Sequence, residues 1–492
     1  MGPAAEVVDL DGQTAIPGLT DSHMHLLNYG LNLERVILNQ VRSLGELTEL
    51  VRARAATLHP GDWVVGRGWD QDRLAEHRYP TVADLDRVAP DNPVVLVRAC
   101  GHLSVCNSLA LRLAGVSRDT PDPDGGRIDR DEAGNPTGIL REGAMGLVGR
   151  HIPTPDFAAL KRALQAAMQR ALAAGLTMVH TDDVGTAGGL EPAMALYDQT
   201  ARAGDPPFRA QLEVSAKYVD DLIGRGLRTG DGDEWFRIGP LKLFADGSLG
   251  GGTAALSQPY ADAPDSCGIP ILTPEAMDAI VAKAHDNGLQ VAIHAIGDRA
   301  AEIALNAIAK AQAGGPRTDL RHRIVHCQIL RPDLIARFVR ENVCADIQPK
   351  FITTDLHWAE RRLGRDRLRW SYAWRDLLEA GVRCAGGSDA PVEPLEPFLG
   401  IYASVTRCDL DGQPAGGWLP EQRLTVEEAL RLFTTGGAYV GHDERTRGMV
   451  APGCQADLAV LSANPLRIDP FALKDIRVMM TVVGGRVAFR RQ

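Results

Sequence analysis

The feature that most constrains the fold is a repeated alternation of helical segments, glycines and short apolar strands along the last two thirds of the chain. Residues 156–174 have helical periodicity and stop at Gly175, and the apolar strand LTMVHT follows directly. A second helix is predicted to open at Thr273-Pro274-Glu275, with the strand LQVAIHA following at 289–295. Strands that are this continuously apolar are typical of a parallel sheet covered on both faces.

About six such units between residues 17 and 440 favour an α/β fold, a closed (β/α)8 TIM-type barrel, over a doubly wound sheet. Asp298 is predicted to cap a helix that ends at Gly314-Gly315, and Thr425 and Glu428 form a capping box that opens another helix through Phe433. No GxGxxG motif follows the first strand and no GxxxxGK[ST] motif occurs, which argues against dinucleotide-binding and P-loop folds.

Two regions depart from this alternation. Residues at about 60–150 are rich in Gly, Pro and Asp, which predicts an inserted subdomain over one mouth of the barrel. Residues 446–492 predict short strands separated by turns, and together with residues 1–14 they predict a small β-sandwich built from the two termini. The barrel is then assigned to residues 15–445.

Composition argues against several classes of partner. Asp plus Glu number 63 against 53 for Lys plus Arg, a net charge of -10, whereas nucleic acids and anionic membranes require a basic surface. No apolar run approaches the ~20 residues of a membrane-spanning helix, and the first residues lack the basic and apolar regions of a secretory signal. Eight cysteines without a CxxC pair are typical of free thiols in a reducing compartment. We therefore expect a cytoplasmic protein without a nucleic-acid or membrane partner.

Side chains that can bind metal ions recur at the ends of the predicted strands. His23 and His25 end the first apolar stretch, and alternate residues of a strand face the same side, so both can reach one ion. Each such residue has an ordinary explanation alone, as a core histidine, a helix cap or a surface amine. Together they predict a metal site, because the C-terminal ends of barrel strands form the face that carries active sites. The six residues are His23, His25, Lys242, His294, His326 and Asp389.

Lys242 is informative because the chain has seven lysines against 46 arginines. Imidazole and carboxylate groups suit Zn²⁺ and related ions, whereas a lysine ammonium group has no free electron pair. Burial beside cations favours the neutral amine, which can react with CO₂ to form an anionic carbamate that bridges two metal ions. An arginine at this position could not do so.

These motifs resemble those of the amidohydrolase superfamily, and within it amidohydrolase family 3, the YtcJ-like group that includes the N-substituted formamide deformylases. The resemblance extends from residue 15 to about residue 461. The run from Lys242 to Leu256 and the Trp69-Asp70 pair are specific to this group. The matching segments are PGLTDSHMHL, GWDQD, GHLSVCNSLAL, GLTMVHT, LKLFADGSLGGGTAAL, VAIHAIGDRA, HRIVHCQ, GGSDAPV and GCQADLAVL.

The resemblance implies a hydrolase that cleaves a C–N bond other than a peptide bond by metal-bound hydroxide. The bond would belong to an amide, or to an N-acyl or N-formyl amine, of a small molecule. Two divalent ions are implied, with Zn²⁺ expected and Mn²⁺ or Fe²⁺ as alternatives. Asp389 would accept the proton of the attacking water and pass it to the leaving amine. The implied ligands are His23, His25 and Asp389 for one ion, His294 and His326 for the other, and a carboxylated Lys242 as the bridge.

Further residues are predicted around this centre. His180 matches no ligand of the superfamily and is predicted to be a pocket or core residue. Residues 247–252, which include four glycines, predict a tight loop rather than an anion cradle. The residues predicted to line the substrate pocket are Trp69, Asp70, His102 and Glu142.

The chain departs from the family ahead of the first metal motif. Family members usually carry a longer segment there, which forms half of the β-sandwich, whereas His23 comes early in this chain. We therefore expect a half-built sandwich with an unpaired edge, through a start site placed too far downstream or a shortened chain. Pairing of the tail between two copies, as a homodimer, would satisfy that edge.

Two other functions stay open. One is a mononuclear, deaminase-type hydrolase in which Lys242 is unmodified, and it would bind one metal equivalent rather than two. The other is a catalytically inactive barrel that serves as an assembly module, although such proteins usually lose metal ligands. The sequence does not specify the substrate.

Overall fold

The computed structural model describes residues 7–71, 73–98, 103–123 and 126–492. The chain forms two compact units. The first comprises the residues up to Gly30 together with Leu160–Gln492, and the second comprises Leu31–Ala159. Within the described ranges no helix is both long enough and apolar enough to cross a bilayer.

The first unit is built on an eight-stranded parallel sheet that nearly closes into a barrel, which confirms the predicted fold. The strands follow one another around the sheet in chain order. Between the last strand and the first, the N–H groups of Asp389 and His25 donate to the carbonyl oxygens of His23 and Ala390, at 2.9 and 2.8 Å. The strands are β1 (Leu19–Met24), β2 (Leu176–Thr181), β3 (Arg209–Ser215), β4 (Phe236–Phe244), β5 (Val291–Ala295), β6 (Arg323–His326), β7 (Cys344–Ile347) and β8 (Cys384–Gly386).

The barrel strands are apolar because both of their faces are covered. Val291, Ala292 and Ile293 of β5 have no exposed surface, and neither have Ile324 and Val325 of β6. Parallel neighbours require crossover connections, and helices supply most of them. The α-helices in the described residues are Leu26–Leu33, Leu44–Ala55, Val82–Asp86, Ser108–Leu113, Met145–Gly149, Phe157–Ala173, Leu190–Tyr197, Val219–Gly224, Pro274–Asp286, Asp298–Gly314, Pro332–Arg340, Ile352–Asp355, Ala359–Leu363, Arg365–Leu368, Trp374–Glu379, Pro397–Thr406, Val426–Arg431 and Gly437–Val440.

Two predicted helix starts are confirmed. Thr273 caps Pro274–Asp286, and its hydroxyl accepts the N–H of Ala276 at 3.2 Å. Thr425 and Glu428 form the expected capping box at the start of Val426–Arg431, which continues into a π-helical turn, Leu432–Gly436. In both cases a local hydrogen bond satisfies an N–H group that the helix leaves free.

The prediction that Asp298 caps its helix is wrong. Gly297 occupies the cap position, and Asp298 is the first helical residue. The Asp298 carboxylate instead accepts the N–H of Ser257 at 2.8 Å and a guanidinium N–H of Arg331 at 3.2 Å. Partners distant in sequence therefore hold this carboxylate, and a local pattern cannot reveal them.

Both ends of the chain contribute to a four-stranded antiparallel sheet, as the sequence predicts. Its strands, in spatial order, are Thr14–Pro17, Leu458–Leu461, Val478–Val483 and Arg486–Arg490. Val460, Met480 and Val482 form its apolar cluster. The hydroxyl of Thr481 donates to the carbonyl oxygen of Leu172 at 2.6 Å, which ties the sheet to the helix before β2.

The second unit has a mixed sheet of its own. Its first three strands pair in parallel and the remaining pairs are antiparallel. Val64, Trp69 and Leu96 are among the fully buried residues of its core. The insertion predicted at about 60–150 lies within this unit, which begins at Leu31. The strands in spatial order are Val36–Ile37, Val64–Trp69, Val94–Arg98, Leu103–Cys106, Pro136–Glu142 and Gly126–Arg130.

Candidate metal centre

The six side chains selected from the sequence lie at the C-terminal ends of barrel strands. Parallel strands bring these ends to one rim, so the topology gathers residues that are far apart along the chain. Four of the six are less than one-tenth exposed, and His25 and His294 are half-buried. His23 is in β1, Lys242 in β4, His294 in β5 and His326 in β6, whereas His25 and Asp389 follow β1 and β8.

His23, His25 and Asp389 form the first group of this centre. One donor atom from each lies within 4.8 Å of the others, and no other such set of His, Cys, Asp or Glu occurs within the described ranges. Nε2 of His25 and Nε2 of His23 lie 3.2 and 3.5 Å from Oδ1 of Asp389. Two imidazole nitrogens and a carboxylate oxygen are a donor set that suits Zn²⁺.

Lys242 lies beside this group. Its Nζ is 3.0 Å from Nε2 of His23 and 3.9 Å from Oε2 of Glu213. The side chain is 1% exposed. Phe244, two residues along the same strand, places its ring centroid 5.3 Å from Nζ. The lysine amine is therefore enclosed and adjacent to the first group of donors.

His294 and His326 form a second group next to the first. Their ring centroids are 4.4 Å apart, and the His326 ring lies 5.7 Å from the His23 ring. His326 has a φ of 81°, in the left-handed region that residues other than glycine seldom adopt. Its Nδ1 atom is buried and has no hydrogen-bond partner among the described residues, an arrangement that is costly unless a ligand satisfies the nitrogen.

Hydrogen bonds behind the rings fix which nitrogen faces the centre. Nδ1 of His25 donates to the carbonyl oxygen of Asp182 at 3.0 Å, and Nε2 of His294 donates to that of Gly247 at 3.0 Å. A carbonyl oxygen only accepts, so these two nitrogens carry the hydrogen. In each ring only the other nitrogen can bind a cation, once it carries no hydrogen.

The charges of these groups follow from burial and contacts. Burial raises the pKa of Asp389, but the hydrogen bond from His25 and the nearby histidines outweigh it and hold the pKa well below the usual range. Burial lowers the pKa of His25, but its contacts with Asp389 raise the pKa to about 9. Burial lowers the pKa of His294 to about 4 and that of His326 well below its usual value. His294 and His326 are therefore neutral, the form that binds metal ions.

Sequence reasoning missed a charged layer buried beneath the site. Glu213 of β3 accepts from Nδ1 of His23 at 3.0 Å and from Nη2 of Arg323 at 3.1 Å, and Arg323 also binds Asp346 at 2.8 Å. Burial raises the pKa of Glu213, but His23, Lys242 and Arg323 together hold it well below the usual range. The presence of charged residues in the strands RAQLEVS, RIVH and CADI was the available signal, because charges are rarely buried without partners.

The profile of the amidohydrolase family matches residues 6–489. The chain belongs to the amidohydrolase family. YtcJ of Bacillus subtilis (strain 168), which is named as an amidohydrolase, is 38% identical over 489 residues that cover 99% of this chain and 91% of YtcJ. N-substituted formamide deformylase of Arthrobacter pascens is 28% identical over 506 residues, covering 99% of this chain and 91% of the deformylase.

A solved structure shares the fold of this amidohydrolase. It is that of an uncharacterized metal-dependent hydrolase from Pyrococcus furiosus, which has a TM-score of 0.76 and 33% sequence identity. The match covers 94% of this chain and 90% of that chain. The assignments of the family, the barrel fold and the hydrolase class are therefore supported by matches over nearly the whole chain rather than by one motif.

In this amidohydrolase, three of the residues predicted to line the substrate pocket, Trp69, Asp70 and Glu142, belong to the second unit. Trp69 is fully buried in the core of that unit and donates its Nε1–H to the carbonyl oxygen of Leu96 at 2.9 Å. Asp70 accepts from Nη2 of Arg98 at 2.7 Å, and Glu142 is exposed at the end of its strand. Contact of these residues with a substrate stays a prediction, and His102 lies outside the described residues.

Two further predictions concern the barrel. His180 is 1% exposed, and its Nδ1 lies 3.1 Å from Nη1 of Arg323, so it is a core residue of the charged layer. The glycine-rich segment is a tight loop, closed by hydrogen bonds from the N–H of Gly252 to the carbonyl oxygen of Leu249 at 3.1 Å and from the N–H of Gly251 to Oγ of Ser248 at 3.1 Å.

Proposed function

We propose that this amidohydrolase is a metal-dependent hydrolase that cleaves a C–N bond in a small amide, such as an N-acyl or N-formyl amine. The observation that carries the proposal is the convergence of His23, His25 and Asp389, with donor atoms within 4.8 Å of one another, beside Lys242 and two further histidines. The homologous deformylase is named for a substrate of this class, N-substituted formamides.

The residues present fit a divalent metal. Imidazole and carboxylate donors suit Zn²⁺, with Mn²⁺ or Fe²⁺ as alternatives. Within the part of the chain that the structure describes, the buried Nδ1 of His326 has no hydrogen-bond partner, which is the state expected of a nitrogen whose partner is a ligand. In this proposal His23, His25 and Asp389 would hold one ion, His294 and His326 would hold a second, and Lys242, as its carbamate, would be a further ligand.

A divalent ion at such a centre lowers the pKa of water towards neutrality and polarises a carbonyl group. Asp389 is the residue that moves the proton. Its carboxylate is 7% exposed and lies at the rim beside His23 and His25, where it can accept a proton from the attacking water and return it to the leaving amine. Lys242 is enclosed away from bulk water, which protects a carbamate from loss of CO₂ by protonation.

The test combines metal analysis with an activity screen. The protein is produced with Zn²⁺ or Mn²⁺ and bicarbonate, its metal content is measured by mass spectrometry, and N-formyl amines, N-acyl amines and cyclic amides are offered as substrates. We expect close to two metal equivalents and release of a free amine, both lost in His25→Ala. One equivalent together with ammonia release would favour the mononuclear deaminase, and a protein without metal or hydrolysis would contradict the proposal.

A further inference from the structure

We propose that Glu213 is a positioning residue that fixes the ring and the tautomer of His23 and thereby sets the metal affinity of the centre. This inference rests on the proposed function, because it concerns the affinity for a divalent cation. It assigns a role to a residue within β3, two positions before the end of that strand, that the sequence analysis did not select.

The contact itself determines the tautomer. Oε2 of Glu213 lies 3.0 Å from Nδ1 of His23, and both side chains are buried, at 0% and 2% exposure. A carboxylate only accepts hydrogen bonds, so Nδ1 of His23 carries the hydrogen. Nε2 is then the unprotonated nitrogen, and it is the atom that lies 3.0 Å from Lys242 Nζ and 3.5 Å from Asp389 Oδ1.

Glu213 is itself held in place from the other side. Its second oxygen, Oε1, accepts from Nη2 of Arg323 at 3.1 Å, and both side chains have no exposed surface. Nη1 of Arg323 binds Asp346 at 2.8 Å and the carbonyl oxygen of Ser22 at 3.0 Å. The carboxylate therefore cannot rotate away from His23 without leaving the guanidinium of Arg323 short of an acceptor in the barrel interior.

His23 differs from the other histidines of the centre in the chemistry of its partner. His25 and His294 donate to backbone carbonyl oxygens, of Asp182 and Gly247. His23 donates to a carboxylate, which forms the stronger hydrogen bond and makes the opposite nitrogen a better electron donor. The partner of His23 is a side chain, whereas the partners of His25 and His294 are backbone groups. Of these three partners, a substitution can therefore change that of His23.

The substitution Glu213→Gln keeps the shape of the side chain but replaces one of its two hydrogen-bond acceptors with a donor. Arg323 offers only donors, so the new amide must turn its oxygen towards Arg323. The amide NH₂ group then faces Nδ1 of His23, which forces the imidazole hydrogen onto Nε2. The substitution would thus place a hydrogen on Nε2 of His23, the nitrogen that faces the metal. The side chain at position 213 would keep almost the same volume.

The experiment measures zinc affinity of the full-length protein by competition with a chromophoric chelator, after removal of metal. We expect Glu213→Gln to bind Zn²⁺ about 10- to 100-fold more weakly than wild type. We also expect the absorption spectrum of the Co²⁺-loaded variant to differ from that of wild type, because the ligand field changes. The matched control is Asp346→Asn, which removes a carboxylate from the same Arg323 without touching the His23 ring, and it should keep wild-type affinity within about threefold.

Each result decides the matter. Equal zinc affinity in Glu213→Gln and wild type, or an equal loss in Glu213→Gln and Asp346→Asn, would overturn the positioning role. If Glu213→Gln does not fold, Glu213→Asp keeps the charge beside Arg323 but withdraws the oxygen from His23, and it must also weaken zinc binding. A wild-type protein that takes up no metal would instead overturn the proposed function, and this inference with it.

Discussion

At the scale of the residue, the chemistry of the proposed centre depends on a lysine. Lys242 is 1% exposed, and its Nζ lies 3.0 Å from Nε2 of His23. We predict that Lys242→Ala lowers hydrolytic activity by at least about a hundredfold, since under the proposed function it removes the carbamate ligand. A short carboxylic acid such as acetate or propionate should restore part of the activity by occupying the space of the carbamate.

The assay for this prediction is the rate of amine release with and without the added acid. Lys310→Ala serves as the control, because Lys310 is exposed, pairs with Asp278 at the surface and is not among the proposed metal ligands. Full activity in Lys242→Ala would rule out the bridging role. Rescue absent at every acid concentration would argue for an unmodified lysine.

The sequence could predict the site residues only where a local pattern carries them. Strand periodicity predicts that His23 and His25 face the same side. The turn residues that follow the apolar runs predict that His294 and His326 lie at strand ends. Glu213 and Arg323 escaped prediction because their partners are distant in sequence. A charged residue in an apolar strand shows that a partner exists but does not show which one.

At the scale of the element, helix starts depend on single hydrogen bonds. The hydroxyl of Thr273 accepts the N–H of Ala276 at the start of Pro274–Asp286. We predict that Thr273→Ala lowers the free energy of unfolding by about 1 kcal/mol, whereas Thr273→Ser, which keeps the hydroxyl, changes it little. Chemical denaturation of the three proteins compares these free energies. An alanine variant as stable as wild type would show that the cap contributes nothing.

The short helix Ile352–Asp355 after β7 ends on a carboxyl group that is poorly solvated. Burial, opposed by the hydrogen bond from Tyr372 and assisted by the charge of Glu393, raises the pKa of Asp355 to about 7. The folded protein therefore binds this proton more tightly than the unfolded chain, whose pKa is near 3.8. The contribution of Asp355 to stability consequently declines as pH rises from about 4 through 7.

We predict that Asp355→Asn removes this pH dependence, because the amide oxygen still accepts from Tyr372 and carries no charge. The variant should gain stability relative to wild type by an amount of the order of a few kcal/mol between pH 5 and pH 8. Melting temperatures of both proteins across this range measure the difference. A constant difference at all pH values would mean that Asp355 does not titrate in the folded protein between those limits.

At the scale of the whole molecule, the alternation of helices and strands in the sequence predicts the barrel. It does not predict how the terminal sheet is attached to the barrel. The apolar strands and their helices predict a parallel sheet, and eight strands are found. The sheet formed by the two termini was predicted from turns and strand-like runs, whereas its anchoring to the barrel depends on buried charges. Nε of Arg209 in β3 donates to Oδ2 of Asp457, which precedes the strand Leu458–Leu461, at 2.9 Å.

This ion pair joins the terminal sheet to the barrel, so its loss should destabilise the whole first unit. Arg209 and Asp457 are 1% and 6% exposed, and Asp457 also accepts the N–H of Gly484 at 2.8 Å. We predict that Asp457→Ala lowers the free energy of unfolding by about 3 to 5 kcal/mol, because the guanidinium of Arg209 stays buried without its main partner. The surface pair Lys310–Asp278 provides the control, since Asp278→Ala should cost no more than about 1 kcal/mol. Calorimetry distinguishes two outcomes: a single transition shifted to lower temperature supports a sheet that is integral to the barrel, whereas a new early transition with the main one unmoved would show a sheet that unfolds by itself.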